Sequence, residues 1–278
     1  MAERARFVTV DHARLGGFAE ELAAGGVSTP AAIDLPFALV SNAVNFGSGW
    51  HPHLYKIAGE SGSSTIMRRL REAMPVSAVD LRGMTASRCA DLFGQPFSPP
   101  VDELMRLYAQ ALSDLGRFVI ERYQGRFAGL VDDAARSAAR LAEILLDMEL
   151  YRDVHRYAGT DVPLLKRAQL TAFDLGPDHF DDFDQLTIFA DNLVPHVLRV
   201  EGVLVFAPSL VERIEREELI PSGSPEEVEI RAVALHACEL IAPLAGTTPA
   251  LLDYTLWNRG QQPMYKSIPR HRTRCPYY

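Results

Sequence analysis

Val101-Asp-Glu-Leu-Met-Arg-Leu-Tyr-Ala-Gln-Ala-Leu-Ser-Asp-Leu-Gly-Arg-Phe-Val-Ile-Glu-Arg-Tyr123 is the stretch that decides the fold class. Leu104, Leu107, Tyr108, Ala111, Leu115 and Phe118 recur at spacings of three and four. That is the period of an α-helix, and it merges them into one apolar stripe with charged residues on the outer faces. The spacing predicts a core helix over 101–123, broken at Gly125. A second stripe follows, with Leu130, Ala134, Ala138, Leu141, Leu145 and Met148, and predicts another core helix.

Downstream, Asp181 or Asp182 is placed to cap a helix running to about Leu198, and Ser209 precedes a short one. Ser224, then Pro225 and Glu226-Glu227, combine a cap, a first-turn proline and acids at the positive helix end. They predict a helix to about Ala242, and Thr248-Pro249 starts one more. Only Gly202–Phe206 reads as a short strand. Upstream, the first hundred residues carry Gly and Pro clusters, including Gly-Glu-Ser-Gly-Ser-Ser and Pro-Phe-Ser-Pro-Pro, and read as long loops. The expectation is an all-α protein, a single helical domain over residues 1–278 with a loop-rich N-terminal part.

Hydrophobic residues make up 47% of the chain and charged residues 23%, enough apolar material for one large core. No window approaches the roughly 18 apolar residues of a membrane helix. The first residues are charged where a signal peptide is apolar, so a cytoplasmic location is expected. Cys89, Cys238 and Cys275 are scattered and lack C-x-x-C spacing, which indicates neither a disulfide framework nor a zinc site. The net charge of −8 disfavours a polymeric nucleic acid, whose binding rests on a basic face, and permits a nucleotide. Walker, G-x-G-x-x-G, G-x-S-x-G and H-E-x-x-H motifs are absent from the sequence, and no metal or cofactor is expected.

Five segments carry candidate chemistry. Asp191 sits at the margin of an apolar face formed by Leu186, Ala190, Leu193 and Val197. Pro195, four residues on, leaves its carbonyl without an intrahelical partner and bends the helix. It is either a ligand-facing carboxylate or a capping Asp on a kinked helix. Asp253 stands one turn before Trp257, so carboxylate and indole suit a planar heterocycle, or they form an ordinary amphipathic helix end. Asn42–Pro52 gathers two Asn, two aromatics, two Gly and His51 in a loop able to close on a ligand. Lys166-Arg167 opens an apolar run and can serve one phosphate. The basic, aromatic tail from Pro269 either docks back or hangs loose.

Read together, Asn45-Phe46, Lys166-Arg167-Ala168-Gln169, Phe189-Ala190-Asp191 with Val194-Pro195, Glu227-Val228-Glu229-Ile230-Arg231, Asp253-Tyr254 with Leu256-Trp257, and His271-Arg272-Thr273-Arg274 resemble the queuosine salvage protein family. The matches run in order from about residue 42 to the end of the chain. His196 and Asn258 depart from the polar residues expected in eukaryotic members. The resemblance implies an all-helical fold related to helix–hairpin–helix DNA glycosylases. It also implies metal-free hydrolysis of queuosine 5′-monophosphate to queuine and ribose 5-phosphate.

That reaction passes through an oxocarbenium-like state, which a carboxylate stabilises and a water captures. The 7-deazaguanine base has no N7 to protonate, and its paired N–H donors suit a second carboxylate. Leu219–Gly223 resembles the hairpin, after which the catalytic Asp of that superfamily follows. On that analogy Asp253 serves the sugar cation or the water, and Asp191 with Phe189 the base, with the reverse assignment open. Lys166, helped by Arg167, is expected on the 5′-phosphate, and His51, Asn45, Phe46, Tyr254 and Trp257 as further contacts. Two rival readings remain: a base glycosylase acting on tRNA or DNA, and a non-catalytic helical ligand-binding protein. Oligomeric state is not legible.

Overall fold

The structure, a computed structural model, describes residues 4–278; the N-terminal Met1–Glu3, part of the charged start read against a leader, fall outside the described residues. In chain order the elements are β1 (Val8–Val10), α1 (His12–Gly25), α2 (Leu35–Ala43), α3 (Gly62–Ala73), α4 (Ala78–Arg82), α5 (Ala86–Phe93), α6 (Val101–Tyr123), α7 (Phe127–Asp133), α8 (Ala138–Leu145), β2 (Val154–Tyr157), β3 (Thr160–Pro163), α9 (Lys166–Leu175), α10 (Val194–Val200), β4 (Leu204–Phe206), α11 (Pro208–Glu215), α12 (Pro225–Leu244), α13 (Pro249–Arg259) and α14 (Pro263–Lys266). Helix dominates, and two small antiparallel sheets, β1–β4 and β2–β3, accompany it. None of the described helices is long and apolar enough to cross a membrane.

The chain divides into two compact units, each discontinuous in sequence: residues 1–31, 153–166 and 184–274, and residues 32–152, 167–183 and 275–278. In the first, α12 is the central helix and packs on α1, β1, α10 and α13. It starts as the sequence predicts: Ser224 accepts Glu227 N–H, Pro225 lies in the first turn, and two acids follow. The core gathers Ile230, Val233, Ala234, Ala237 and Ile241 of α12 with Phe18, Val197, Leu204 and Leu252. β1 is tied down twice, by pairing with β4 and by Glu229, whose Oε2 accepts the N–H groups of Arg6, Phe7 and Val8 at 2.8, 2.5 and 3.1 Å.

In the second unit α6 is central, packed against α2, α4, α5 and α7. Gly116 explains the closeness of α4: a Cβ there would lie 2.3 Å from Arg82 N and 2.5 Å from Ala78 O. The tail docks in both units. Ile220 N–H donates to Arg272 O at 2.9 Å in the first, and Gly47 N–H to Tyr278 O at 2.9 Å in the second.

Several expectations are corrected. The stripe from Leu130 to Met148 is two helices, because Ala135 and Arg136 take left-handed backbone (φ 48° and 63°) and Ser137 then caps α8. Asp182 is followed only by a single 3-10 turn, Phe183–Gln185; its carboxylate accepts Ser137 Oγ–H at 2.7 Å and Ala138 N–H at 2.6 Å at the head of α8. No long kinked helix runs to Leu198. Residues 186–191 are irregular and α10 begins at Val194, which puts Pro195 in the first turn, where a missing N–H costs nothing. α11 begins at Pro208 rather than after Ser209. Among the described residues of the first hundred there are five α-helices, and Ser61 within the Gly-Glu-Ser-Gly-Ser-Ser run caps α3. The β2–β3 hairpin had no alternating pattern to announce it.

Candidate active site

Asp253 lies on α13, which Thr248 and Pro249 start as predicted, and it is 4% exposed. A carboxylate this deep needs partners, since an ionised acid without them is costly to bury. Its Oδ2 accepts Phe189 N–H at 3.0 Å. Burial raises its carboxyl well above the ordinary range, and the neighbouring charge of Asp191 raises it further. The Phe189 N–H and the Lys166 ammonium oppose both effects. Lys166, Phe189, Asp191 and Asp253, far apart in sequence, therefore form one electrostatic group within the first unit.

Asp191 is half-buried, and its Oδ1 accepts Leu193 N–H at 2.6 Å and Val194 N–H at 3.1 Å. It thereby holds two N–H groups at the entry to α10. The capping reading and the ligand reading are thus compatible, for Oδ2 is not used in the cap. Arg270 lies in the field of Asp191. Burial draws its guanidinium below the usual range and the Asp191 charge counters it.

Behind this group stands a buried charge network that sequence reasoning assigned no role. Arg231 and Glu227 of α12 are fully buried and Asp153 nearly so. Arg231 Nη1 and Nη2 donate to Asp153 Oδ1 and Oδ2 at 2.9 and 2.5 Å, Nη1 reaches Glu227 Oε1 at 3.2 Å, and Nε donates to Ala190 O at 2.8 Å. Burial alone would raise Asp153, but Arg231 and His155 hold its carboxyl well below the carboxylate range. One signal was present: Glu227 and Arg231 keep the helical register of apolar Ala234, Cys238 and Ile241, so they are charges on a core stripe. Asp153, the partner of Arg231 and 78 residues from it, follows no local pattern.

The remaining candidates divide between the units. Tyr254, next to Asp253, is half-buried, whereas Trp257 is 41% exposed, so indole and carboxyl do not share a buried face. In the second unit Arg167 is almost wholly buried. Its guanidinium donates to the carbonyls of Asn42 and Ala43 at 3.2 and 2.6 Å and to that of Leu150, and it stacks 4.8 Å from the Phe46 ring. Asn45 donates to Asn42 Oδ1 at 3.2 Å, and Phe46 O accepts Tyr108 OH at 2.8 Å. Arg167, Asn45 and Phe46 thus meet in one scaffold. His51 lies in a short 3-10 turn with His53. His196, one of the departures from the family pattern, donates through Nε2 to Tyr265 O at 2.9 Å, and burial lowers its ring to about 4, so it is neutral.

Comparison with known proteins matches residues 60–278 to the family described as queuosine salvage protein. A relative from Sphaerobacter thermophilus, named queuosine 5′-phosphate N-glycosylase/hydrolase, is 35% identical over 100% of this chain and 95% of its own. Proteins of the same name from Dictyostelium discoideum and Mus musculus are 32% and 28% identical, over 70% and 77% of this chain and 63% and 70% of their own. The resemblance carried by the six short motifs holds along the whole chain, and the protein belongs to the queuosine salvage protein family.

Proposed function

We propose that this protein hydrolyses the N-glycosidic bond of queuosine 5′-phosphate and releases queuine and ribose 5-phosphate. The observation that carries the reading is the pair of acids about Phe189: Asp253 buried with a raised carboxyl, Asp191 half-buried on a helix start. Two neighbouring acids in unlike environments divide the work of a hydrolase between a proton acceptor and a fixed charge. The names of the relatives point to the same substrate.

In this mechanism the C1′–N bond breaks with its electron pair leaving on the base, and water oxygen bonds to C1′. Asp253, a better proton acceptor than an ordinary carboxylate, stabilises the sugar cation and takes the proton of that water, which then passes to the nitrogen of the departing base. Asp191 receives the paired N–H donors of the guanine-like edge beside Phe189, and Lys166 meets the 5′-phosphate. Arg167 keeps the helper role that the family motif implies. Asn45, Phe46, His51, Tyr254 and Trp257 remain contacts proposed from the family motifs. The α11–α12 pair, with Leu219–Gly223 between, stands for the hairpin of the helix–hairpin–helix glycosylases, and Asp253 follows it on α13.

We take residues 1–278 as one catalytic domain, because the family match runs through stretches of both units. The substrate is a small molecule, as the net charge of −8 favours, and the location is cytoplasmic. Incubation with queuosine 5′-phosphate and mass spectrometry of free queuine tests the reading. Asp191→Asn and Asp253→Asn should each lose about a hundredfold or more in rate. Near wild-type release by both variants removes the assignment, and no release by the wild type removes the function.

A further inference from the structure

Asp153, directly before β2, gathers the chain on one side of the acid pair. Its Oδ2 accepts Lys166 N–H at 3.2 Å, and its carbonyl accepts the N–H groups of Leu164 and Leu165 at 2.9 and 3.3 Å. Leu165 has φ 50°, a left-handed conformation that a branched side chain holds only where its surroundings enforce it. Lys166 is the next residue. On the other side, Arg231 Nε holds Ala190 O at 2.8 Å, between Phe189 and Asp191. The two Nη groups of the same guanidinium grip the Asp153 carboxylate at 2.9 and 2.5 Å.

We infer that the buried Arg231–Asp153 pair is a positioning device for the glycosidic centre, setting Lys166 and the Phe189–Asp191 segment in register so that Asp253 meets both. The inference rests on the hydrolase reading above. A guanidinium fork suits the task, because its donors are fixed in one plane and serve a carboxylate and a carbonyl at once. Groups that hold the first ring of reacting residues are worth about ten- to a hundredfold in comparable sites.

The pair also governs when Asp253 is ionised. The groups facing Asp253 are Asp191 and the Phe189 N–H from the irregular segment, Lys166 at the head of α9, and the Cys238 thiol of α12. Phe189 N–H and Lys166 favour the carboxylate, and both are held through the pair. Burial and Asp191 oppose it, and the Asp191 carboxylate keeps an anchor apart from the pair, the N–H groups of Leu193 and Val194. A loosened pair therefore makes Asp253 harder to ionise. The fall of rate on acidification, where the proton acceptor becomes blocked, moves to higher pH.

Arg231→Lys tests this, because one ammonium keeps a charge against Asp153 but does not hold Ala190 O in the same fork. The expected result on queuosine 5′-phosphate is a loss of about tenfold or more in kcat with a smaller change in KM. The acid side of the kcat/KM profile should shift upward. A purely structural role lowers the active fraction equally at every pH and leaves the profile in place; that outcome, or a wild-type profile, overturns the inference. Asp153→Asn is the second variant, since its amide oxygen still accepts Lys166 N–H while the charge is lost. It should move the profile the same way, and an unmoved profile in folded protein counts against the pair. Wild type assayed alongside separates the two ideas: absence of queuine there defeats the hydrolase reading itself.

Discussion

A carboxyl like that of Asp253 reports on its surroundings through pH. Its raised folded value means that the neutral form is the one the fold favours. The stability it contributes is fully present below the unfolded carboxylate range, about pH 4, and is lost as pH rises through the folded value. Asp253→Asn keeps an acceptor for Phe189 N–H and removes the charge. At about pH 8 the variant should melt above the wild type, with the gap closing toward about pH 4. A gap of constant size in a pH series of melting curves contradicts the assignment. On the proposed mechanism the acid that costs stability is the one the reaction uses, the usual conflict between a site and its fold. Asp191, Asp253 and Lys166 were legible in the sequence because charged groups among apolar neighbours stand out. Asp153 was not, for its meaning comes from a partner 78 residues away.

At the scale of elements, legibility followed local signals. α12 and α13 were readable because Ser224-Pro225 and Thr248-Pro249 carry both cap and first-turn proline. The α7–α8 break was not, since Ala135 and Arg136 carry no turn signature and are exposed; the bonds that accompany their left-handed backbone run from Arg136 to Asp178 and Asp181, more than 40 residues on. Pro195 was legible as a helix-altering residue, but its sign was reversed: it begins a helix instead of bending one. Gly116 sits in a helix interior, where glycine is unfavourable, and only the approach of α4 accounts for it. Gly116→Ala should gain helix propensity yet lose stability by about 1–3 kcal/mol, because the new Cβ meets backbone atoms that have no rotamer to escape into. Chemical denaturation reads this directly; a stabilised variant means that α4 does not press on α6 as described.

For the whole molecule, charge was the most informative bulk property. A net charge of −8 disfavours long polyanions, whereas the single phosphate proposed for Lys166 needs only a local cation. Excess tRNA should therefore leave the hydrolysis of queuosine 5′-phosphate unchanged at physiological salt, and competition at micromolar tRNA would favour a polymer-directed glycosylase instead. Helical content and the family were legible across the chain. The division into two discontinuous units was not, because no linker or change of composition marks residues 31–32, 152–153, 166–167, 183–184 or 274–275.

The pairing of β1 with β4 bears on how the chain is born. Val8 meets Phe206, and the N–H groups of residues 6–8 meet Glu229, more than 200 positions later. At about 5–20 residues per second on the ribosome, the nascent N-terminal strand waits roughly 10–40 s before its partners emerge. Through that interval its edge is open to other chains, and the cell's holdases, rather than the fold, have charge of it.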